Sequence, residues 1–167
     1  DQPRNLLPRL AVDWDVSDDR LVYPFHLRQG VQFADGRPFT SKDVKFTYDV
    51  LQDPEVQANH YRAKFEDVES VTIPEIVDEE TGETIPDPYK IVVTYSKEYW
   101  KGLVTFGLDL EILNAGWYEN QIPIQAKKLD IDDFSTSPGQ PGFGPVFNKI
   151  RMPAPGTGPY YLDGTEY

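Results

Sequence analysis

The sequence predicts an α/β protein of the α+β kind, a mixed, mostly antiparallel sheet with short flanking helices. Residues 12–16, 21–27 and 89–95 repeat apolar or aromatic side chains at every second position, the period of two that strands show. In another stretch Val44, Thr47, Tyr48 and Leu51 lie at i, i+3, i+4 and i+7, which is one face of a helix. Fifteen prolines and twelve glycines argue for many turns and against a helical bundle.

Composition and charge exclude several classes of function. The 167 residues carry a formal net charge of −12, which disfavours nucleic acid partners and adsorption to an anionic membrane surface. Cysteine is absent, so disulfides, thiolate catalysis and zinc–thiolate sites are excluded. No apolar run approaches the roughly 20 residues of a membrane-spanning helix, so we expect no membrane insertion by this chain.

The first alternating stretch predicts a β-hairpin. Residues 12–16 alternate, residues 17–19 supply Ser-Asp-Asp turn chemistry, and residues 21–27 resume the alternation. Pro24 has no N–H to give to a ladder, so we expect the second strand to have a free edge at that position.

A turn and a capped helix follow the hairpin. Residues 35–36 are an Asp-Gly turn signal, and Gly36 suits a position with positive φ. Thr40 is the expected N-cap: its hydroxyl accepts from the N–H of Asp43, and the Asp43 carboxylate bonds back. The Asp-Pro pair at residues 53–54 is expected to end the helix. We therefore interpret Gly36, Thr40 and Asp43 as structural residues.

The middle of the chain predicts a second hairpin. Residues 55–67 are expected to contain a short helix, and residues 68–73 begin a strand region. The alternation over residues 89–95 is the partner strand. An acidic loop from about residue 77 to residue 88 is expected to join the two strands.

Beyond residue 96 the local signals weaken. A short helix is expected over residues 97–106. Residues 125–150 combine an acidic cluster with a Pro/Gly-rich stretch, so we interpret them as a long irregular loop, mobile and functionally silent. Three aspartates in it invite a calcium interpretation: Asp130, Asp132 and Asp133. The EF-hand spacing fails, because Ser135 and Pro141 stand where Gly and Glu are needed, so we expect no metal site.

Two motifs resemble a known family. The first runs Tyr23-Pro-Phe-His-Leu-Arg-Gln-Gly-Val-Gln-Phe33 and then Asp35-Gly-Arg-Pro-Phe-Thr-Ser-Lys-Asp-Val44, without a gap. The second is Gly156-Thr157-Gly158-Pro159-Tyr160. Together they are similar to the signature of family 5 extracellular solute-binding proteins, the binding components of oligopeptide-, dipeptide- or nickel-type ABC importers. Residues 113–150 depart from the family pattern, since the usual Pro-Lys-His-type segment is not found there.

The resemblance implies an internal fragment of a periplasmic-binding-protein type II fold. Residues 1–34 would be strands of the first lobe and residues 35–124 the small domain specific to the family. Residues 125–150 would be the irregular loop, and residues 151–167 a return strand toward the main lobe. The missing lobe would leave apolar surface exposed, which favours self-association of the fragment.

The resemblance also implies a function, a partner and a compartment. The complete protein would capture an extracytoplasmic solute, most simply a peptide, and deliver it to an ABC permease. This places the protein in the periplasm or outside the cell, and a lipid anchor in the full-length parent is consistent with that location.

Two tyrosines are the candidate ligand contacts, since solute sites use aromatic faces beside a few polar groups. Tyr61 lies just beyond the first helix, in the region where peptide-binding relatives have a tyrosine near the ligand, and Tyr160 lies in the closing turn. The competing interpretation places both in the core. Gly156 and Gly158 superficially suggest a phosphate loop, but neither a third glycine nor a Lys-Ser/Thr pair follows, so we interpret them as turn residues.

No enzymatic activity and no cofactor are expected. The sequence contains neither G-x-S-x-G nor H-E-x-x-H, and its only histidines are His26 and His60. Twenty-eight acidic residues make any choice of a catalytic carboxylate pair arbitrary. Two alternatives stay open: an extracytoplasmic sensor or scaffold domain with the same fold, and a hydrolase with an unrecognised carboxylate pair.

Overall fold

The computed structural model of the chain describes residues 7–151 and 154–157. Tyr160, Gly158 and most of the predicted return strand lie outside the described residues. In chain order the elements are β1 (Ala11–Trp14), β2 (Val22–Leu27), α1 (Ser41–Gln52), α2 (Asn59–Arg62), β3 (Val68–Thr72), β4 (Glu75–Val77), β5 (Thr84–Pro86), β6 (Lys90–Tyr95), α3 (Gly102–Asp109), α4 (Ala115–Lys128) and α5 (Phe143–Phe147).

Four strands form one sheet in the order β1-β2-β6-β3, and each neighbouring pair is antiparallel. The predicted antiparallel sheet with short helices is confirmed. Because successive side chains of a strand point to opposite faces, the alternation in β2 and β6 sends every second side chain to the same side of the sheet. On that side Tyr23, Phe25 and Leu27 of β2 are all buried.

The free edge predicted at Pro24 is wrong, because β2 is an interior strand. Pro24 lies opposite Val92 of β6, and on the β1 side its carbonyl accepts from the N–H of Asp15 at 2.9 Å. A residue in an antiparallel ladder directs its N–H and C=O to the same neighbour. The position that lacks an N–H at Pro24 therefore lies opposite Asp15, one residue beyond the end of β1 at Trp14. Proline is tolerated at the end of a ladder for the same reason as at a sheet edge, because no further ladder bond depends on its N–H.

The connection between β3 and β6 contains a hairpin where a plain loop was predicted over residues 77–88. β4 and β5 pair with each other, with Ile76 opposite Ile85. The carboxylate of Asp78 closes the turn by accepting from the N–H and the hydroxyl of Thr81 at 2.7 and 2.9 Å. Gly82 adopts φ +72° in this turn. The small hairpin is largely exposed and lies outside the main sheet.

Helix α1 begins after Thr40, whose N–H donates to Asp43 Oδ2 at 2.9 Å and whose hydroxyl donates to the same oxygen at 3.3 Å. The two residues form a capping box, and Gly36 in the preceding turn has φ +84°. The helix is buried on two sides. Val44 and Tyr48 face the sheet, whereas Phe46 and Val50 face away from it.

The sheet core lies between the sheet and α1, with α3 covering part of it. The helix predicted over residues 97–106 begins later, at Gly102, whose carbonyl accepts from the Tyr95 hydroxyl at 2.8 Å. Phe106 of α3 packs on Phe25 and Phe65, with ring centroids 5.6 and 6.3 Å apart. The largest fully buried side chains of this core are Phe39, Phe65, Ile91 and Val93.

A separate helical core lies on the other side of α1, and it overturns the irregular loop predicted over residues 125–150. Helix α4 extends through Lys128, and residues 143–147 form α5. Phe143 and Val146 of α5 have no exposed surface, and they pack with Ile122 of α4. Pro and Gly mark turns in this segment, but the apolar residues between them supply a core that composition alone does not reveal.

Candidate functional site

Tyr61 lies on the outer surface of the short helix α2. Its side chain is 47% exposed, whereas most tyrosines and phenylalanines of the described chain are buried or half-buried. The Lys64 ammonium lies 5.7 Å from the centre of its ring, and the His60 ring meets it edge-on at 6.0 Å. An exposed aromatic face beside one cation is suited to stacking against a solute, and the competing core interpretation of Tyr61 does not fit this exposure.

Arg62 holds α2 in place. Its Nε donates to the carbonyl of Leu51 at 2.7 Å, and one terminal nitrogen donates to the carbonyls of Asp53 and Val56 at 2.5 and 3.1 Å. The other terminal nitrogen donates to Asn59 Oδ1 at 2.6 Å. Carbonyls at the C-terminus of α1 lack helical partners and carry partial negative charge, so a guanidinium is well placed there.

An apolar groove runs between β1 and α3. Its inner part is lined by Ala11, Phe25, Phe106 and Leu110, and its outer part by Leu7, Trp14 and Leu103. Leu7 is 71% exposed at its rim. Tyr61 does not line this groove. The groove offers contact area but few polar groups to orient a solute, so it fits packing against further protein better than specific recognition of a small ligand.

The turn of the first motif meets the start of the second motif in space. The N–H of Ala34 donates to the carbonyl of Gly156 at 2.9 Å. Next to this contact, both carboxylate oxygens of Asp35 accept from Asn114 Nδ2 at 3.1–3.2 Å, and Asp35 also pairs with Arg37. The polar groups of this turn are therefore occupied by internal bonds, which suits a structural role for the turn.

Asp43 has a second role that sequence reasoning missed. Its Oδ1 accepts from the N–H of Ala115 at 2.9 Å, so a single carboxylate caps α1 and also binds the start of α4. Only 5% of the residue is exposed, and this burial raises the pKa of its carboxyl despite the bonds from Thr40 and Ala115. One turn later Thr47 Oγ1 accepts from the N–H of Leu113 at 2.8 Å. Nothing local in the sequence marks these partners 72 and 66 residues away.

A metal site and a membrane-spanning helix each require a particular geometry of the residues that form them. Within residues 7–151 and 154–157, no three His, Asp or Glu side chains converge well enough to hold a metal ion. His26 Nε2 lies 3.4 Å from Asp15 Oδ2 on the outer surface of the sheet. Among the described helices, none has both the length and the apolar character needed to cross a membrane.

Comparison with known families gives a match over almost the whole chain. Residues 5–166 fit the model described as bacterial extracellular solute-binding proteins, family 5 Middle. Di/tripeptide-binding protein 2 of Pseudomonas aeruginosa is 43% identical over 60 residues, which is 32% of this chain and 11% of that protein.

Two solved structures share the fold. NikZ from Campylobacter jejuni in complex with Ni(L-His) aligns with a TM-score of 0.54 and 33% identity, over 68% of this chain and 20% of that one. AgaA from A. tumefaciens R10 in complex with agropinic acid aligns with a TM-score of 0.55 and 27% identity, over 68% of this chain and 21% of that one. The matched segment thus spans about a tenth of the curated relative and about a fifth of each solved chain.

Proposed function

This chain belongs to the bacterial extracellular solute-binding proteins of family 5, and from that premise we propose that it is one part of the solute-capturing component of an ABC importer. The family match over residues 5–166 is the observation that carries the proposal. Such a protein acts by reversible binding and release, so it needs a shaped surface and a moving partner lobe and no catalytic group. The compartment that follows is the periplasm or the cell exterior, and the partner that follows is an ABC permease.

The solute that we propose is a short peptide. The relative from Pseudomonas aeruginosa, 43% identical over 60 residues, is a di/tripeptide-binding protein. The similar solved structures hold other small solutes, a nickel–histidine complex and agropinic acid. A solute of this kind is anchored by hydrogen bonds at its ends and by apolar or aromatic contact along its side chains.

Tyr61 is the contact that we propose for this part of the protein. It is exposed, its ring has Lys64 beside it, and it is fixed to the end of α1 through the neighbouring Arg62. The matched segment is about a tenth to a fifth of the relatives' lengths, so we assign it one wall of a site that the rest of the protein completes. The apolar groove between β1 and α3 would then be covered by that remaining part.

Calorimetry with trialanine tests the proposal on two proteins, this chain alone and the complete protein that contains it. A micromolar dissociation constant corresponds to a binding free energy of ~8 kcal/mol. If each wall supplies half of this free energy, this chain alone keeps ~4 kcal/mol, which corresponds to a millimolar dissociation constant. We expect saturable binding with a dissociation constant of ~1 µM for the complete protein and of ~1 mM for the chain. Saturable binding by the chain alone tighter than ~10 µM would show that the site is complete here and would overturn the division into two walls.

A further inference from the structure

We infer that residues 139–148, together with Arg62, act as a clamp that sets the position of Tyr61 by fixing the connection between α1 and α2. The clamp residues are Arg62, Gly139, Gly144 and Asn148, and the connection is residues 53–58. The inference rests on the proposed function, because it assigns a positioning role toward the contact proposed there. It also gives a role to part of residues 125–150, for which the sequence predicts a silent loop.

Asn148 binds the connection through both the nitrogen and the oxygen of its side-chain amide. Its Nδ2 donates to the carbonyl of Glu55 at 2.7 Å, and its Oδ1 accepts from the N–H of Gln57 at 3.0 Å. Both partners are backbone groups, so the bonds fix the path of the chain whatever side chains the connection carries. Since the contact spans 91 to 93 residues of sequence, it joins α5 directly to the segment that leads into α2.

Gly144 brings α5 into direct contact with the connection. A Cβ atom at this position would lie 2.4 Å from the Cβ of Glu55 and 2.6 Å from its backbone carbon, so any larger residue would push the two segments apart. Nearby, Asp53 Oδ2 accepts from the N–H of Gly139 at 2.8 Å, and Asp53 Oδ1 accepts from the N–H of Glu55 at 2.8 Å. The packing contact and the hydrogen bonds of Asp53 and Asn148 therefore meet at Glu55.

Arg62 binds the connection from the α2 side through the carbonyls of Asp53 and Val56. The connection is thus held by α5 and by α2 together, and Val56 between them is 4% exposed. Tyr61 is only four residues beyond Gln57, and the chain between them spans at most about 3.3 Å per residue. A displacement of residues 55–57 therefore moves Tyr61, and a protein that populates the correct position only in part binds with its affinity reduced by that fraction.

The test uses the complete protein, with trialanine as the probe. We expect Tyr61→Ala to weaken trialanine binding about tenfold or more, and Asn148→Ala and Gly144→Ala to weaken it by about tenfold through loss of the correct position. Gln125→Ala is the matched control, because its amide donates to the carbonyl of Lys149 at 3.4 Å and does not touch the connection. We expect its affinity to be unchanged.

A double variant separates positioning from a general structural effect. Because the clamp acts through Tyr61, adding Asn148→Ala to Tyr61→Ala should cost little further affinity, whereas independent effects would multiply. Hydrogen exchange supplies a ligand-free readout: the N–H of Gln57 should exchange about tenfold faster in Asn148→Ala and in Gly144→Ala than in Gln125→Ala.

The outcomes distinguish the two ideas. If Tyr61→Ala binds trialanine like the unchanged protein, or if that protein does not bind trialanine, the proposed contact or the proposed peptide function is wrong and the clamp inference falls with it. If Tyr61→Ala weakens binding but both clamp variants bind normally, or if the double variant shows multiplied losses, the clamp inference is overturned and the proposed function stands.

Discussion

The two cores on either side of α1 are held together by different means. In the sheet core, the ladders between β2, β6 and β3 satisfy the backbone, and apolar side chains fill the space beneath them. The helical core has no ladder. There α1, α4 and α5 are linked by polar side chains that bind the backbone of distant segments, through Asp43, Thr47, Asp53 and Asn148.

This difference follows from where unsatisfied backbone groups arise. A strand in a sheet meets its hydrogen-bonding needs along its length, whereas each helix leaves four N–H groups and four C=O groups without partners at its ends. Short helices such as α2 and α5 consist mostly of ends. The helical core therefore depends on a few side chains that reach those groups, and we expect polar truncations to cost more there than in the sheet core.

The largest expected effect tests whether the helical core is a real core. Phe143→Ala removes a ring with no exposed surface that stacks on Phe147 and meets Phe46, with centroids 5.2 and 6.2 Å apart. We expect it to lower the free energy of unfolding by about 3–5 kcal/mol, because a large buried side chain is replaced by a cavity. Urea unfolding measures this, with Phe25→Ala in the sheet core as the comparison. A loss below about 1 kcal/mol would contradict the helical core and support the irregular loop predicted for residues 125–150.

A smaller effect tests the polar links. Asp43→Ala leaves the N–H groups of Thr40 and Ala115 without their acceptor, which should cost about 1–3 kcal/mol of unfolding free energy. Burial raises the pKa of the Asp43 carboxyl, so the folded protein holds this proton more tightly than the unfolded chain does. The stability that Asp43 contributes is then full below its unfolded pKa of about 3.9 and declines as pH rises through the higher folded pKa.

The cost of Asp43→Ala should accordingly be greater near pH 3 than near pH 7, as judged by urea midpoints of both proteins across that range. Asp49→Ala is a suitable control, because Asp49 is on the same helix and its carboxylate pairs with Lys45 near the surface. A cost that increases with pH would contradict the dominance of burial at Asp43.

The smallest effect concerns the cap of α1, the helix that both cores share. Thr40→Ala removes the hydroxyl that meets Asp43 Oδ2 but leaves the stronger bond from its backbone N–H. We expect a loss of about 1 kcal/mol, the usual cost of a lost N-cap. Urea unfolding without any shift would reject the hydroxyl as a part of the cap.

The sheet core was largely predictable from the sequence, and the helical core was not. The alternation in residues 21–27 and 89–95 predicts β2 and β6, because every second residue of a half-buried strand is buried and tends to be apolar. Helix α4 was not predicted from the sequence, because it contains Pro123 and proline usually breaks a helix. Helix α5 was not predicted because five residues are too few for a period to be detected.

The candidate site divides in the same way. Tyr61 is found from its residue type, its place after α1 and the family resemblance, and its exposure agrees with a contact role that stays a proposal. The residues that fix its surroundings are not found by sequence reasoning. Asn148 and Gly144 carry no local signal, because their partners in the connection lie some 90 residues earlier. Tyr160 lies outside the described residues, so its role also stays a prediction.

The position of α1 between two cores makes its length and phase unusually intolerant of change. Consecutive residues of an α-helix are rotated by about 100°, so one inserted residue after Val44 would turn every later side chain by that angle. Phe46 and Val50 would leave the helical core while Tyr48 left the sheet core, so both cores would lose buried side chains at once. We therefore expect natural variants of this protein to differ in length in the β4–β5 hairpin, and we expect insertions or deletions inside α1 to be selected against.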